Sequence, residues 1–285
     1  MRKLCLFFFL FLAFSTSAFA QGKTVPVKNA TEFLAALGSD RTIMLEYGVY
    51  DFSTTAQESG TSYQYNEVYD GLELHVSGLK NLTIKSKDAN RPAELLTQPA
   101  YGNVIVFMDC ENIRIENIEA GHGATKGSCV GGVFKMINSK NFTINNCLLY
   151  GSGIEGITTE NLDGLTCTKT DIRGCTYGVM SLLNSKNILF DQCKMYENKE
   201  YNLFLFNNCQ NVRFKNTVIS HNMTGTEEYS TYPLFELEGG SAPIILEDCV
   251  IKYNTCNYLS TKESSLKMTR CELRDNYITK GEYKE

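Results

Sequence analysis

Hydrophobic and polar positions alternate with a period of two along most of the chain, in short runs punctuated by Asn, Gly, Asp and Lys. Aligned on Asn81, Asn112, Asn141, Gly164, Asn187, Asn211, Pro243 and Ser265, the runs recur at spacings of 31, 29, 23, 23, 24, 32 and 22 residues. One position after the anchor stand Leu82, Ile113, Phe142, Leu165, Ile188, Val212, Ile244 and Leu266. Three positions after it come Ile84, Ile115, Ile144, Cys167, Phe190, Phe214, Leu246 and Met268. A column six positions on reads Lys87, Ile118, Cys147, Thr170, Cys193, Thr217, Cys249 and Cys271, and one eight positions on starts with Ala89 and Ala120 and ends with Ile251 and Leu273. Period-two alternation marks half-buried strands, because a helix would repeat its apolar face every 3.6 residues. A unit near 23 residues cannot bury its apolar side alone and must stack on its neighbours. The leucine-rich repeat shares that length, but its recurrent Leu pattern and helix per unit are missing. What remains is three short strands per turn, each bonded to its counterpart one turn above and below, about 4.8 Å away.

This pattern, over roughly 29–276, resembles the right-handed parallel β-helix of the pectate-lyase-like superfamily. The resemblance implies an all-β, single-stranded solenoid of about eight to ten turns. Residues 30–37 read as a short amphipathic helix, and Thr42-Ile43-Met44-Leu45 followed by Gly48-Val49-Tyr50 resembles the first turn of such proteins. A helix there plugs the open end of the coil and shields its edge from pairing with another chain. The expected organisation is a signal peptide over 1–20, an N-terminal cap and first turn over 21–50, an irregular Tyr-rich insertion over 51–78, repeats over 79–276 and a frayed tail over 277–285. The insertion holds Tyr63, Tyr65, Tyr69, Glu67, Asp70 and His75, and reads as a cover folded over the side of the solenoid.

The first twenty residues carry the layout of a secretory signal: Arg2 and Lys3, an apolar run from Leu4 to Phe14, and a small-residue stretch ending Ala18-Phe19-Ala20. That predicts export to the periplasm or beyond, with no membrane span after cleavage, since the apolar run is too short to cross a bilayer. The chain of 285 residues is 43% hydrophobic and 21% charged, which excludes disorder, and its net charge of −5 excludes the basic balance of a nucleic-acid-binding protein.

Asn at the anchor, and again five residues later at Asn117, Asn146 and Asn216, suits tight corners and can stack into a ladder of amides. Ten of the 11 Cys follow the leader. The column of Cys147, Cys193, Cys249 and Cys271 reads as small buried filler with free thiols. The alternative is a Cys249–Cys271 bridge, whose strand separation suits a disulfide but whose parallel Cβ vectors do not. No C-x-x-C pair has a matching partner pair, so neither a metal nor a cofactor is expected.

The strand before each anchor aligns too. It points Ile105, Phe134, Ile157, Met180 and Phe204 inward, then Phe107, Met136, Thr159, Leu182 and Phe206. Its outer face carries Val106, Lys135, Thr158, Ser181 and Leu205, then Met108, Ile137, Glu160, Leu183 and Asn207. The resemblance to lyases and hydrolases of this fold implies clustered Asp with Arg, Lys or His on this face; here its charges are Lys135 and Glu160 alone, a departure from both patterns. The loops beside it are richer in chemistry. The glycine-rich segment 121–132 contributes His122 and Lys126, and the equivalent loops of later turns contribute Tyr150 and Glu155, Arg173 and Tyr177, Glu200 and Tyr201, then His221 and Tyr232. Stacking brings these to one edge, where polar groups grip sugar hydroxyls and Tyr rings pack on sugar faces. His122, Lys126, Glu155 and Tyr177 are the catalytic candidates, for proton abstraction beside a uronate or, with Glu155 and Glu200, for paired-carboxylate hydrolysis. Lys135, Glu160, Glu200, Tyr201 and His221 are the substrate-binding candidates, and the expected partner is a polysaccharide or oligosaccharide. A non-catalytic interaction module stands as the rival reading, since Val106, Met108, Ile137, Leu183 and Leu205 make an apolar outer face suited to a homodimer or another partner.

Overall fold

The computed structural model describes residues 22–123, 130–225 and 232–283. The chain winds through three sheets of ten, nine and twelve strands, and its strand pairs run parallel apart from one hairpin. One turn shows the course: Phe134–Ile137 in the third sheet, Lys140–Asn145 in the first, Leu148–Tyr150 in the second, then a loop to Ile157–Glu160 directly above the start. This is a right-handed parallel β-helix.

The apolar columns stack in register. Phe142 pairs with Ile113 and Leu165, and Ile144 with Ile115 and Cys167, all fully buried. Inside the coil the rings form their own stacks, Phe190 on Phe214 at 4.9 Å and Phe204 on Phe235 at 4.8 Å. Each buried Phe contributes about 2–3 kcal/mol, so a turn's stability comes mostly from its neighbours. One column was offset. Ala120 pairs with Leu95 and Ile118 with Ala93, because a six-residue excursion, 87–92, follows Ser86; the exposed Ala89 and Lys87 belong to that excursion and not to the core.

The corners explain the Asn, Cys and Thr columns together. Five positions after the anchor the backbone turns left-handed at Asn117, Asn146, Lys169, Gln192, Asn216, Asp248 and Arg270. Asn adopts that region at low cost, while Lys, Gln and Arg are held there by the turns on either side. The next side chain then points inward. Thr170 and Thr217 accept the backbone N–H groups of Cys147 and Cys193 at 3.3 and 3.4 Å, and the Cys thiols lie against carbonyls. All nine described cysteines are free. On the surface Asn112 donates to Asn81 and Asn141 to Asn112, a ladder along the anchors. A second ladder is buried at the third corner: Asn198 donates to Asn222, Asn222 to Asn254 and Asn254 to Asn276, each at 2.9 Å.

The N-terminal helix Ala30–Ala36 is capped by Asn29, whose side chain accepts the N–H of Glu32, and it buries Phe33 and Leu34 against the first turn. The segment 51–78 is more regular than expected. Tyr63–Val68 and Gly71–Ser77 form an antiparallel hairpin whose second strand joins the third sheet beside Ile105–Met108. The tail also differs: Tyr277–Tyr283 is a strand paired with Thr255–Ser260.

Candidate functional site

The loop edge is ordered by the strands it feeds. Phe134, Ile157, Met180, Phe204 and Phe235 are register partners in the third sheet. Counting back three residues from each gives Gly131, Ile154, Tyr177, Tyr201 and Tyr232; counting back two gives Gly132, Glu155, Gly178, Asn202 and Pro233. Three tyrosines thus occupy one column on successive turns. Their rings touch, Tyr177 to Tyr201 at 5.0 Å between centroids and Tyr201 to Tyr232 at 5.7 Å. Glu155 stands in the adjoining column between two glycines. A Cβ at position 178 would lie 3.0 Å from the Asn202 carbonyl oxygen and 3.3 Å from the Glu155 Cγ, so glycine there leaves room for the carboxyl and for whatever approaches it.

These residues line a cleft of about 400 Å³ formed by Val130, Ile154, Glu155, Tyr177, Tyr201, Asn202 and Leu205. Glu155 is half-buried, and Thr158 donates to its Oε2 at 3.3 Å. Burial outweighs that hydrogen bond and the nearby charge of Lys135, and its carboxyl is pushed up to about 7. A carboxyl balanced at that value exchanges protons readily near neutrality. Within the cleft lining it is the only carboxylate among the described residues. Lys135 projects from the same outer face, one turn below Thr158.

The other predicted residues fall elsewhere. His122 is buried in the wall, with Nε2 2.7 Å from the Gly102 carbonyl, and burial lowers its pKa, keeping the ring neutral. Lys126 lies outside the described residues. Glu160 is on the third sheet's outer face, at the far end of the strand Ile157–Glu160 from Glu155, and does not line the cleft. Glu200 has a left-handed backbone (φ 80°) in a two-residue strand, Lys199–Glu200, and does not line the cleft. His221 is an exposed corner residue, φ 56°, packed on Tyr253 at 5.0 Å. The outer apolar face is less open than its sequence implies, since Val106 is buried and Met108, Ile137, Leu183 and Leu205 are half-buried.

Sequence reasoning brought Tyr177, Tyr201 and Tyr232 to one edge but passed over Asn202 and the single column the three rings share; the common offset before each inward strand residue was the available signal. It also passed over a buried polar group near the bottom of the edge. His75 Nε2 meets Glu73 Oε1 at 2.7 Å, and the other Glu73 oxygen accepts both the backbone and side-chain N–H of Asn103 at 2.7 Å. These bonds together outweigh burial and hold the Glu73 carboxyl below its usual range. Among the described residues no cluster of His, Cys, Asp and Glu could hold a metal ion.

Stacked parallel strands around a single core, with loops gathered along one edge, define a β-helix protein. The family described as "Right handed beta helix region" matches residues 103–278, and the chain belongs to that family. No curated protein matches it in sequence. Among solved structures it is similar to the pectate lyase pelN from Paenibacillus sp. 0602, with a TM-score of 0.55 and 11% identity over 90% of this chain and 78% of that one. It is also similar to the alginate lyase from Paenibacillus sp. str. FPU-7, at a TM-score of 0.50 and 11% identity over 92% of this chain and 99% of that one. The pectate lyase Pel9A has a TM-score of 0.50 and 13% identity over 93% and 80%. At these identities the likeness shows the shared fold.

Proposed function

We propose that this chain is an exported protein that cleaves an acidic polysaccharide at the Glu155 cleft by β-elimination. The observation that carries the reading is a carboxyl, the only one among the described residues lining the cleft, held near 7 at the foot of a column of contacting tyrosines. In the reaction Glu155, ionised, takes the proton from the carbon next to the uronate carboxylate. The C–H electron pair forms the new carbon–carbon double bond, and the glycosidic C–O bond breaks. The departing oxygen is protonated by Tyr177 or a water. Lys135 faces the negative charge that gathers on the uronate as the proton leaves. Tyr201 and Tyr232 hold sugar rings beside the reacting one. Among the described residues the cleft lining holds one carboxylate, which favours elimination over hydrolysis, since hydrolysis needs two carboxyls facing each other across the bond.

The signal-like first twenty residues support export, and no helix among the described residues is long and apolar enough to cross a membrane. The fold shared with pectate and alginate lyases supports a carbohydrate partner by analogy. The test is a panel of plant, algal, host and bacterial polysaccharides, followed by the ultraviolet absorbance of the unsaturated uronate end. Wild-type protein is expected to generate that absorbance on at least one acidic polymer, and Glu155→Gln to lose it by more than a hundredfold. A panel that yields no unsaturated ends, or an E155Q variant as active as wild type, overturns the reading.

A further inference from the structure

Two exposed tyrosines mark the lower end of the same edge. Tyr69, at the tip of the hairpin, is 86% exposed and Tyr101 is 41% exposed, yet their rings pack together at 4.9 Å. They are held there deliberately. Asp70, between the hairpin strands, accepts the backbone N–H of Ala100 at 2.6 Å and of Tyr101 at 3.1 Å, pinning the tip to the loop that carries Tyr101. Large rings kept rigid and wet lack a packing role and are characteristic of surfaces that receive a ligand.

Among the described residues, the positions between this pair and the Glu155 cleft are held by glycine. Counting back three residues from Ile105 and Phe134 reaches Gly102 and Gly131, and counting back two from Phe134 reaches Gly132. Close contact between neighbouring loops enforces the small residues: a Cβ on Gly131 would collide with the Gly102 carbonyl oxygen, and one on Gly132 would lie 2.8 Å from Asn103 Oδ1. Tyr101 belongs to the turn of Ile105 and Tyr201 to the turn of Phe204, four strand spacings above, about 19 Å. A pyranose ring is comparable in length to one strand spacing, so an extended chain of about five rings spans that distance.

We propose that Tyr69 and Tyr101 form a second sugar-stacking platform for the same glycan, so that the protein grips an acidic chain of at least five rings laid along the solenoid axis, with the bond to be cut near Glu155 inside the gripped stretch. The proposal rests on the Glu155 cleft being a glycan site. It makes the protein an internal cutter of long chains and a poor binder of short ones.

The test measures affinity against chain length by calorimetry, with E155Q protein to prevent turnover and two ladders of probes, oligogalacturonates and oligomannuronates from dimer to octamer. On the ladder that binds, affinity is expected to rise about tenfold between trimer and pentamer and then level off. In the E155Q protein carrying Tyr69→Ala and Tyr101→Ala, that gain is expected to shrink to less than twofold, with thermal unfolding run alongside to show an intact fold. If trimer and octamer bind equally well, or if the tyrosine substitutions leave the gain at tenfold, the second platform is refuted while the cleft stands. If no length on either ladder binds, the cleft as an acidic-glycan site fails and the platform fails with it. Tyr69→Ala alone, at the exposed hairpin tip, guards against a folding artefact and is expected to remove about half of the gain on a logarithmic scale.

Discussion

Replacing Glu155 with Gln removes a charge that the fold disfavours, so the substitution is expected to stabilise the protein at high pH and do nothing at low pH. The carboxyl's pKa is pushed from 4.5 to about 7 by burial. At about 1.4 kcal/mol per pH unit that amounts to at most about 3.5 kcal/mol, and partial exposure of the side chain brings the expectation to about 1–3 kcal/mol. The sign follows from proton binding. Between 4.5 and 7 the folded protein holds a proton that the unfolded chain has released, so wild-type stability falls as pH rises through that window and is fully reduced above it. Gln mimics the protonated form, still accepts from Thr158, and has no such slope. Urea denaturation of both proteins at pH 4, pH 5.5 and pH 8, about the 4.5 to 7 window, reads the difference directly, because the other titrating groups cancel between them. The E155Q advantage should be near zero at the lowest pH and largest at the highest. An advantage independent of pH, or an E155Q variant less stable at pH 8, would refute the claim that burial holds this carboxyl near 7.

Catalysis through an ionised Glu155 predicts that kcat/KM falls as pH drops below about 7 along a single acid limb, read on whichever polysaccharide proves to be the substrate. Tyr201→Ala removes the middle ring of the column and is expected to weaken glycan binding about fivefold to tenfold, measured by calorimetry on E155Q protein. Asn222→Ala breaks a buried ladder in which that side chain donates to Asn254 and to the Met195 carbonyl and accepts from Asn198, and should cost on the order of 2–4 kcal/mol in urea denaturation. Burial pushes the thiols of Cys147, Cys249 and Cys256 up to about 12, so alkylation followed by mass spectrometry should label them only after unfolding, with the partly exposed Cys271 labelled first.

The repeat made the coil legible because its signal is written many times. Any one strand of four to six residues is ambiguous, but columns such as Leu82 to Leu266 repeat the same apolar choice in every turn. Where a turn carries extra residues the alignment slips, as at Ala89, since an exposed alanine and a buried leucine six residues later both satisfy an apolar column. The hairpin 63–77 escaped for the opposite reason: it occurs once, and antiparallel pairing has no period to betray it. At the site, stacking predicted that loops converge, and Glu155, Tyr177 and Tyr201 do line one cleft. His122 was misplaced by reading the loop as a unit. It lies two residues after the buried Ala120 in the same strand, and strand parity turns it toward the interior. His221 stands ten positions after its anchor, where Gly151, Gly174, Glu197, Tyr253 and Asp275 also take left-handed backbone, so its place is a corner. The pKa of Glu155 was beyond the sequence, because it depends on how Gly132 and Gly178 bring neighbouring loops close enough to exclude water.

The most direct test of the account is a crystal structure of E155Q protein soaked with an acidic pentasaccharide that the wild type consumes. Sugar rings are expected packed on Tyr177 and Tyr201, with a glycosidic bond within hydrogen-bonding reach of the side chain at position 155. A glycan ordered instead on the outer face of the second sheet, in the groove of Asp171, Arg173 and Lys194, would contradict it.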